Sequence, residues 1–254
     1  MIKIAIVGCN GKMGGYVAEA VENSSECEAI FGVDAFGKSR YDFPVYPSFD
    51  GVEDKPDVII DFSHPSVLDG MLSYAVKNNV PCVICTTGYS KEQIEEINKA
   101  ADSVAIFFSG NMSLGINLLI ELAKQATRVL GDSFDIEIVE KHHNLKLDAP
   151  SGTALMIADA ISDTLPQEPQ YVYDRHSYRK KRSKSEIGIH SVRGGTIVGE
   201  HEVIFAGHDE VVTVTHQAQS KEVFAAGSVS AAAFLANQKA GMYSMSDLLA
   251  DKFA

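Results

Sequence analysis

Apolar runs without polar alternation recur through the first part of the chain, at residues 2–7, 29–33, 58–60, 82–85 and 104–108. A strand with apolar side chains on both faces is covered on both, as in a parallel sheet flanked by helices. Between these runs the period changes. Residues 11–23 carry Val17, Ala20 and Val21 at helical spacing, and Pro65 suits the first turn of a helix reaching about Lys77. Ser90 and Gln93 form a capping box for a helix ending near Ala101. Strands alternating with helices predict a doubly wound parallel sheet over residues 1–112.

After Ser109-Gly110-Asn111 the pattern changes. Residues 114–130 read as a long helix with no α/β partner, 136–139 as a strand, and Ser151 as the cap of a helix to about Thr164. Residues 187–192, 196–205 and 211–217 read only as strands, separated by Gly-Gly and Gly-His-Asp turns. This predicts a second α+β domain over 113–220 with an antiparallel or mixed sheet. Residues 222–237 read as a final alanine-rich helix. The fold class expected is α/β, a Rossmann-like domain followed by an α+β domain.

Composition narrows the function. The chain has 254 residues, 45% hydrophobic, with a formal net charge of -12. That balance argues against nucleic acid as a partner, and it requires local cations to hold any anionic ligand. No apolar run approaches the ~18 residues of a membrane span, and the start lacks a signal-peptide pattern, so no membrane and a cytoplasmic location are expected. Cys82-Val-Ile-Cys85 has redox or zinc spacing but lies in an apolar strand, where residues three apart face opposite sides. Buried core thiols are the favoured reading, and no metal is expected. The basic stretch Arg175, 179–182 and Lys184 reads as a solvated loop rather than a nucleotide patch.

Two stretches carry chemistry. Gly8-Cys9-Asn10-Gly11-Lys12-Met13-Gly14 follows the first strand and opens a helix, placing glycines and free N–H groups where a pyrophosphate binds. Asp34 ends the next strand, where an acid bonds the adenosine ribose and favours NADH over NADPH. Lys12 and Lys38 lie where a ribose phosphate could be met, so the preference stays open between NADH and NADPH. Thr86-Thr87-Gly88 and Ser109-Gly110-Asn111-Met112 end later strands on the ligand-binding edge of such a sheet and are candidates for the nicotinamide half. His64, on the same edge, reads as a helix-start residue.

The second stretch is Glu140-Lys-His142-His143-Asn-Leu-Lys146-Leu-Asp148-Ala-Pro-Ser151-Gly152-Thr153. Adjacent histidines diverge along an extended chain, so one can meet the reacting centre while the other holds an anion. Lys146 can neutralise charge or donate a proton, and the helix start at Ser151-Gly152-Thr153 can take a carboxylate.

This stretch, complete from Glu140 to Ala154, resembles the signature of the 4-hydroxy-tetrahydrodipicolinate reductase (dihydrodipicolinate reductase) family. Gly8 to Gly14, residues 191–201 and residues 241–247 resemble the family too. The resemblance implies NAD(P)H-dependent reduction of a small dicarboxylate in lysine and diaminopimelate synthesis. It implies acid/base roles for His142 and Lys146, and substrate binding by His143, Gly152 and Thr153. Cofactor contacts fall on Gly8–Met13, Thr86–Gly88 and Ser109–Met112. It further implies that residues 221–254 return to the cofactor domain and that a homotetramer forms through the second sheet. Some members carry an acid followed by arginine at the ribose position, whereas Ala35 follows Asp34 here. Another two-domain NAD(P) oxidoreductase, such as one like aspartate dehydrogenase, and a non-enzymatic cofactor sensor would each explain the Gly8 turn. Neither needs the His142 block.

Overall fold

Runs rich in isoleucine and valine build the first sheet. The computed structural model describes residues 1–36 and 40–253. Its elements begin with β1 (Ile2–Val7), α1 (Lys12–Glu22), β2 (Cys27–Val33), β3 (Val45–Tyr46), β4 (Val58–Asp61), α2 (Leu68–Asn78), β5 (Cys82–Ile84), α3 (Lys91–Ala100) and β6 (Ala105–Phe108). They continue with α4 (Leu114–Leu130), β7 (Asp135–His142), α5 (Gly152–Ser162), β8 (Gln170–Val172), β9 (Glu186–Arg193), β10 (Gly199–Ala206) and β11 (Val211–Ala218). Last come α6 (Glu222–Leu235), β12 (Gly241–Tyr243) and α7 (Met245–Phe253). The chain divides into two compact units, Met1–Leu114 with Lys221–Ala254, and Gly115–Ser220.

The first unit holds a seven-stranded parallel sheet in the order β12-β6-β5-β4-β1-β2-β3. The order reverses beside β1, which makes the carboxyl ends of β1 and β4 the crevice where ligands bind in such sheets. Alternation splits the strand residues between two cores. Ile4 and Ile6 join α1 and α6, while Ala5 and Val7 join α2 and α3. Cys82 and Cys85 fall in opposite cores, and burial pushes both thiols up. They are core residues, as their spacing on a strand suggested.

Ser90 and Gln93 form the reciprocal capping box of α3. His64 caps the next turn by accepting from Ser66 N, but Pro65–Val67 is a 3-10 turn, and the α-helix begins only at Leu68. The alanine-rich helix, expected as the last element, is α6, and it is followed by β12 and α7. The strand expected over 196–205 starts at Gly199.

The second unit carries a mixed sheet in the order β11-β10-β7-β9-β8, antiparallel from β11 to β7 and parallel from β7 to β8. On β7 burial alternates strictly. Ile136 and Ile138 share a core with Leu119 and Ile120 of α4 and with Ile157 and Ile161 of α5. The same face continues to Glu140 and His142, which puts two polar side chains at the end of an apolar row.

The basic stretch is a solvated loop only in part: Arg179, Lys180, Lys181 and Lys184 are exposed, whereas Arg175 and Arg182 are half-buried. Arg175 bonds Glu137 and Glu186, and Arg182 bonds Glu137, Asp135 and three backbone carbonyls. Acids on β7 and β9 draw the loop onto the sheet, a long-range pairing that loop composition does not reveal. Among the described residues, no helix is long and apolar enough to cross a membrane.

Candidate active site

The turn after β1 has little room. Gly8 has φ +78, and a Cβ there would lie 2.4 Å from Phe62 O. A Cβ on Gly14 would lie 2.1 Å from Gly8 O, so α1 packs directly on the turn. Gly11 caps α1 without a side-chain bond, which leaves the first N–H groups of the helix for an anion. Asp34 accepts from Asn10 N at 3.0 Å and Phe36 N at 2.9 Å, tying this turn to the end of β2. Asn10 Oδ1 is buried without a partner among the described residues. A bare glycine turn, an uncapped helix start and an unused acceptor fit a dinucleotide.

The other expected cofactor residues stand on the same sheet edge. Lys12 is exposed in the first turn of α1, whereas Lys38 lies outside the described residues. Thr86 is buried and its Oγ1 accepts from Ser63 N at 2.8 Å, while Thr87 and Gly88 are exposed. Ser109 Oγ donates to Asn111 O and accepts from Asn111 N, and Gly110 is exposed between them. Cys9, Met13 and Met112 differ in exposure. Cys9 and Met112 are buried in the core, so a ligand contact from either comes from the main chain, and Met13 is half-buried.

The second unit gathers the His142 block. Glu140 is fully buried and accepts from Arg193 Nη2 at 2.7 Å, Arg193 Nη1 at 2.8 Å and Ser151 N at 3.1 Å. Its Oε2 lies 2.5 Å from His142 Nδ1. Burial pushes the Glu140 carboxyl up, but the bonds from Arg193, His142 and Ser191 outweigh it and hold the group at about 2. Burial lowers His142, Glu140 raises it, and Lys146 and Arg193 lower it again, with a net fall. An ionised carboxylate only accepts, so His142 Nδ1 donates and Nε2 carries the lone pair. A Cβ on Gly199 would lie 3.1 Å from that Nε2.

His201, across from Glu140 on β10, packs edge-on to His142 with ring centres 5.3 Å apart. Its Nε2 lies 3.0 Å from Ser151 Oγ, which also caps α5 by accepting from Ala154 N at 3.1 Å. Burial, followed by His142, lowers His201 to about 4. His143 is half-buried just beyond β7, and its carbonyl accepts from Lys146 N at 3.1 Å. Lys146 Nζ lies 2.8 Å from Asp148. Lys146 lowers the Asp148 carboxyl, and the nearby Gly152 backbone lowers it slightly further. Gly152 is exposed and Thr153 half-buried at the start of α5. Lys146 thus already holds one carboxylate of the chain itself, in the loop that leads into α5.

The structure brings His142, His143, Lys146, Gly152 and Thr153 into one unit. Sequence alone assigns no part in the site to Glu140, Arg193 or His201. Arg193 and His201 lie in the 191–201 stretch, but their partner is 53 residues away for Arg193 and 50 for His201, beyond any local pattern.

A parallel sheet with a bare glycine turn, joined in one chain to an imidazole, lysine and carboxylate cluster, defines a nicotinamide-dependent oxidoreductase. The family model for dihydrodipicolinate reductase, N-terminus, matches residues 2–112, and that for its C-terminus matches residues 115–249. The chain belongs to the dihydrodipicolinate reductase family, a family of NAD(P)H-dependent oxidoreductases. A 4-hydroxy-tetrahydrodipicolinate reductase of Caldanaerobacter subterraneus subsp. tengcongensis is 53% identical over 251 residues, 98% of each chain. One of Clostridium tetani is 46% identical over 98% of this chain and 97% of that one. The solved dipicolinate-bound dihydrodipicolinate reductase from Paenisporosarcina sp. TG-14 has a TM-score of 0.78 at 27% identity, over 96% of this chain and 97% of that one.

Proposed function

We propose that this chain reduces 4-hydroxy-tetrahydrodipicolinate to tetrahydrodipicolinate with NADH or NADPH, in the cytoplasm, for lysine and diaminopimelate synthesis. The reaction takes up one hydride and one proton and releases one water. The observation that carries the reading is the Asp148 carboxylate held by Lys146 at 2.8 Å, in the same unit as the acceptor Nε2 of His142 and the start of α5. A dicarboxylate ring can replace Asp148 there, and the family's dipicolinate-bound relative fits that ligand class.

A bound nicotinamide supplies the hydride. Gly8, Cys9, Asn10, Gly11, Lys12 and Met13 form the turn for its pyrophosphate, and Asp34 takes the adenosine ribose. Thr86–Gly88 and Ser109–Met112 border the nicotinamide half. In the second unit His143, Gly152 and Thr153 bind the substrate carboxylates. Lys146 neutralises charge and delivers the proton, and His142 serves as the neighbouring acid/base. Fixing the ring by both carboxylates removes the search for a reactive orientation.

The test follows NADH and NADPH oxidation on adding freshly condensed aspartate semialdehyde and pyruvate. The expected result is oxidation of both, with the higher kcat/KM for NADH because of Asp34 and Ala35. Cofactor binding without oxidation would sink the reading.

A further inference from the structure

Glu140 has no role in the steps above, yet it joins more of the site than any residue in them. It is fully buried, and its donors come from three separate segments: His142 on its own strand, Arg193 on β9 and Ser151 at the cap of α5. Arg193 neutralises it, and Arg193 Nη2 also bonds Asp148 O, in the loop that carries Lys146. A buried charge is tolerated when paired and fully bonded in this way.

The consequence falls on His142. An imidazole left alone exchanges between two neutral tautomers. Beside an acceptor-only carboxylate at 2.5 Å, Nδ1 must donate, and Nε2 is left as the acceptor opposite Gly199. The same carboxylate holds Ser151 N, so the imidazole and the anion-binding end of α5 are set by one group. We infer that Glu140 is a positioning residue, which fixes His142 as the Nδ1–H tautomer and locks it in register with the carboxylate-binding start of α5. This rests on the reductase reading for the task of His142, but not for its tautomer.

The groups facing His142 give the sign of a pH test. Glu140 favours the imidazolium; Lys146, Arg193 and burial oppose it, and His201 packs against its edge. Glu140→Gln keeps the shape and removes the favouring charge, so His142 then titrates at lower pH. Whichever limb of the kcat/KM profile His142 governs moves in the same direction.

The experiment is 15N NMR of the full chain labelled at histidine, with His142→Gln to assign the signal. Wild type should show neutral His142 as Nδ1–H. Glu140→Gln should show mixed tautomers, a lower titration midpoint and a kcat reduced on the order of 10²-fold, while NADH affinity by fluorescence titration stays unchanged. Glu140→Asp, which restores the charge, should return the midpoint toward wild type. An Nε2–H tautomer in wild type overturns the proposal without any Glu140 variant having to fold. So does a Glu140→Gln protein that keeps the wild-type tautomer and midpoint, because Glu140 would then be only an anchor. The NMR needs no turnover, so a failed oxidation assay rejects the reductase reading separately.

Discussion

Lys146, to which we assign a part in holding substrate, is already bonded to Asp148 in the free chain. Their side chains are 22% and 56% exposed at a separation of 2.8 Å. An exposed pair of this kind contributes about 0–1 kcal/mol, so an incoming carboxylate can displace Asp148 at small cost. The Glu140–Arg193 pair is the opposite case, with a fully buried carboxylate that no ligand can replace. Lys146→Ala should therefore fold normally and bind NADH as wild type does, with kcat lowered about 10²–10⁴-fold. Steady-state kinetics with a separate fluorescence titration of NADH checks this. A collapse of cofactor affinity with turnover intact would remove Lys146 from the proton-delivering role.

At the scale of elements, β7 is an apolar strand that ends in polar chemistry, and β10 follows it through His201. The low His201 value gives a pH dependence. The free imidazole has a value of 6.5 and the folded one about 4. Between these the unfolded chain binds the proton and the folded chain does not, so stability is complete above 6.5 and falls as pH falls toward 4. The loss is on the order of 3 kcal/mol. His201→Asn should give a shallower fall of Tm across this window in thermal melts, even if Tm is lower throughout. Equal slopes would show that His201 does not drive the effect. Such cross-strand groups explain what the sequence could reveal. Strand runs, the Ser90–Gln93 box and the Ser151 cap depend on near neighbours and were legible. The strands β3, β8 and β12 are two or three residues long, too short to show a period. The Arg175 and Arg182 clamp and the Glu140–Arg193 pair depend on partners far along the chain. The His142 block was visible as a cluster of chemistry, but its internal order was not.

The whole molecule uses its two sheets differently. The first is covered on both faces, by α1 and α6 on one side and α2 and α3 on the other. In the second, the described helices α4 and α5 both pack on the face of Ile136, Ile138 and Phe205. The opposite face carries Val139, Ile204, Thr213 and Thr215 beside Glu137, Lys141, Glu200 and Glu202, with Arg175 and Arg182 bonded to Glu137; Thr213 and Thr215 are exposed, and β11 is a sheet edge. The part of this face along β10 and β11, away from Glu137, suits a second copy of the chain, as the homotetramer implied by the family resemblance would require. Thr213→Arg separates the possibilities. An exposed threonine in an isolated chain tolerates the change within about 0.5 kcal/mol, whereas a threonine buried between copies would meet its own charge across the interface. Light scattering after gel filtration should give wild type about four times the 27.4 kDa chain mass. The variant should give a smaller species with an unchanged circular dichroism spectrum. A wild type at the single-chain mass would reject the assembly, and a variant that stays at the wild-type mass would place the interface on another surface.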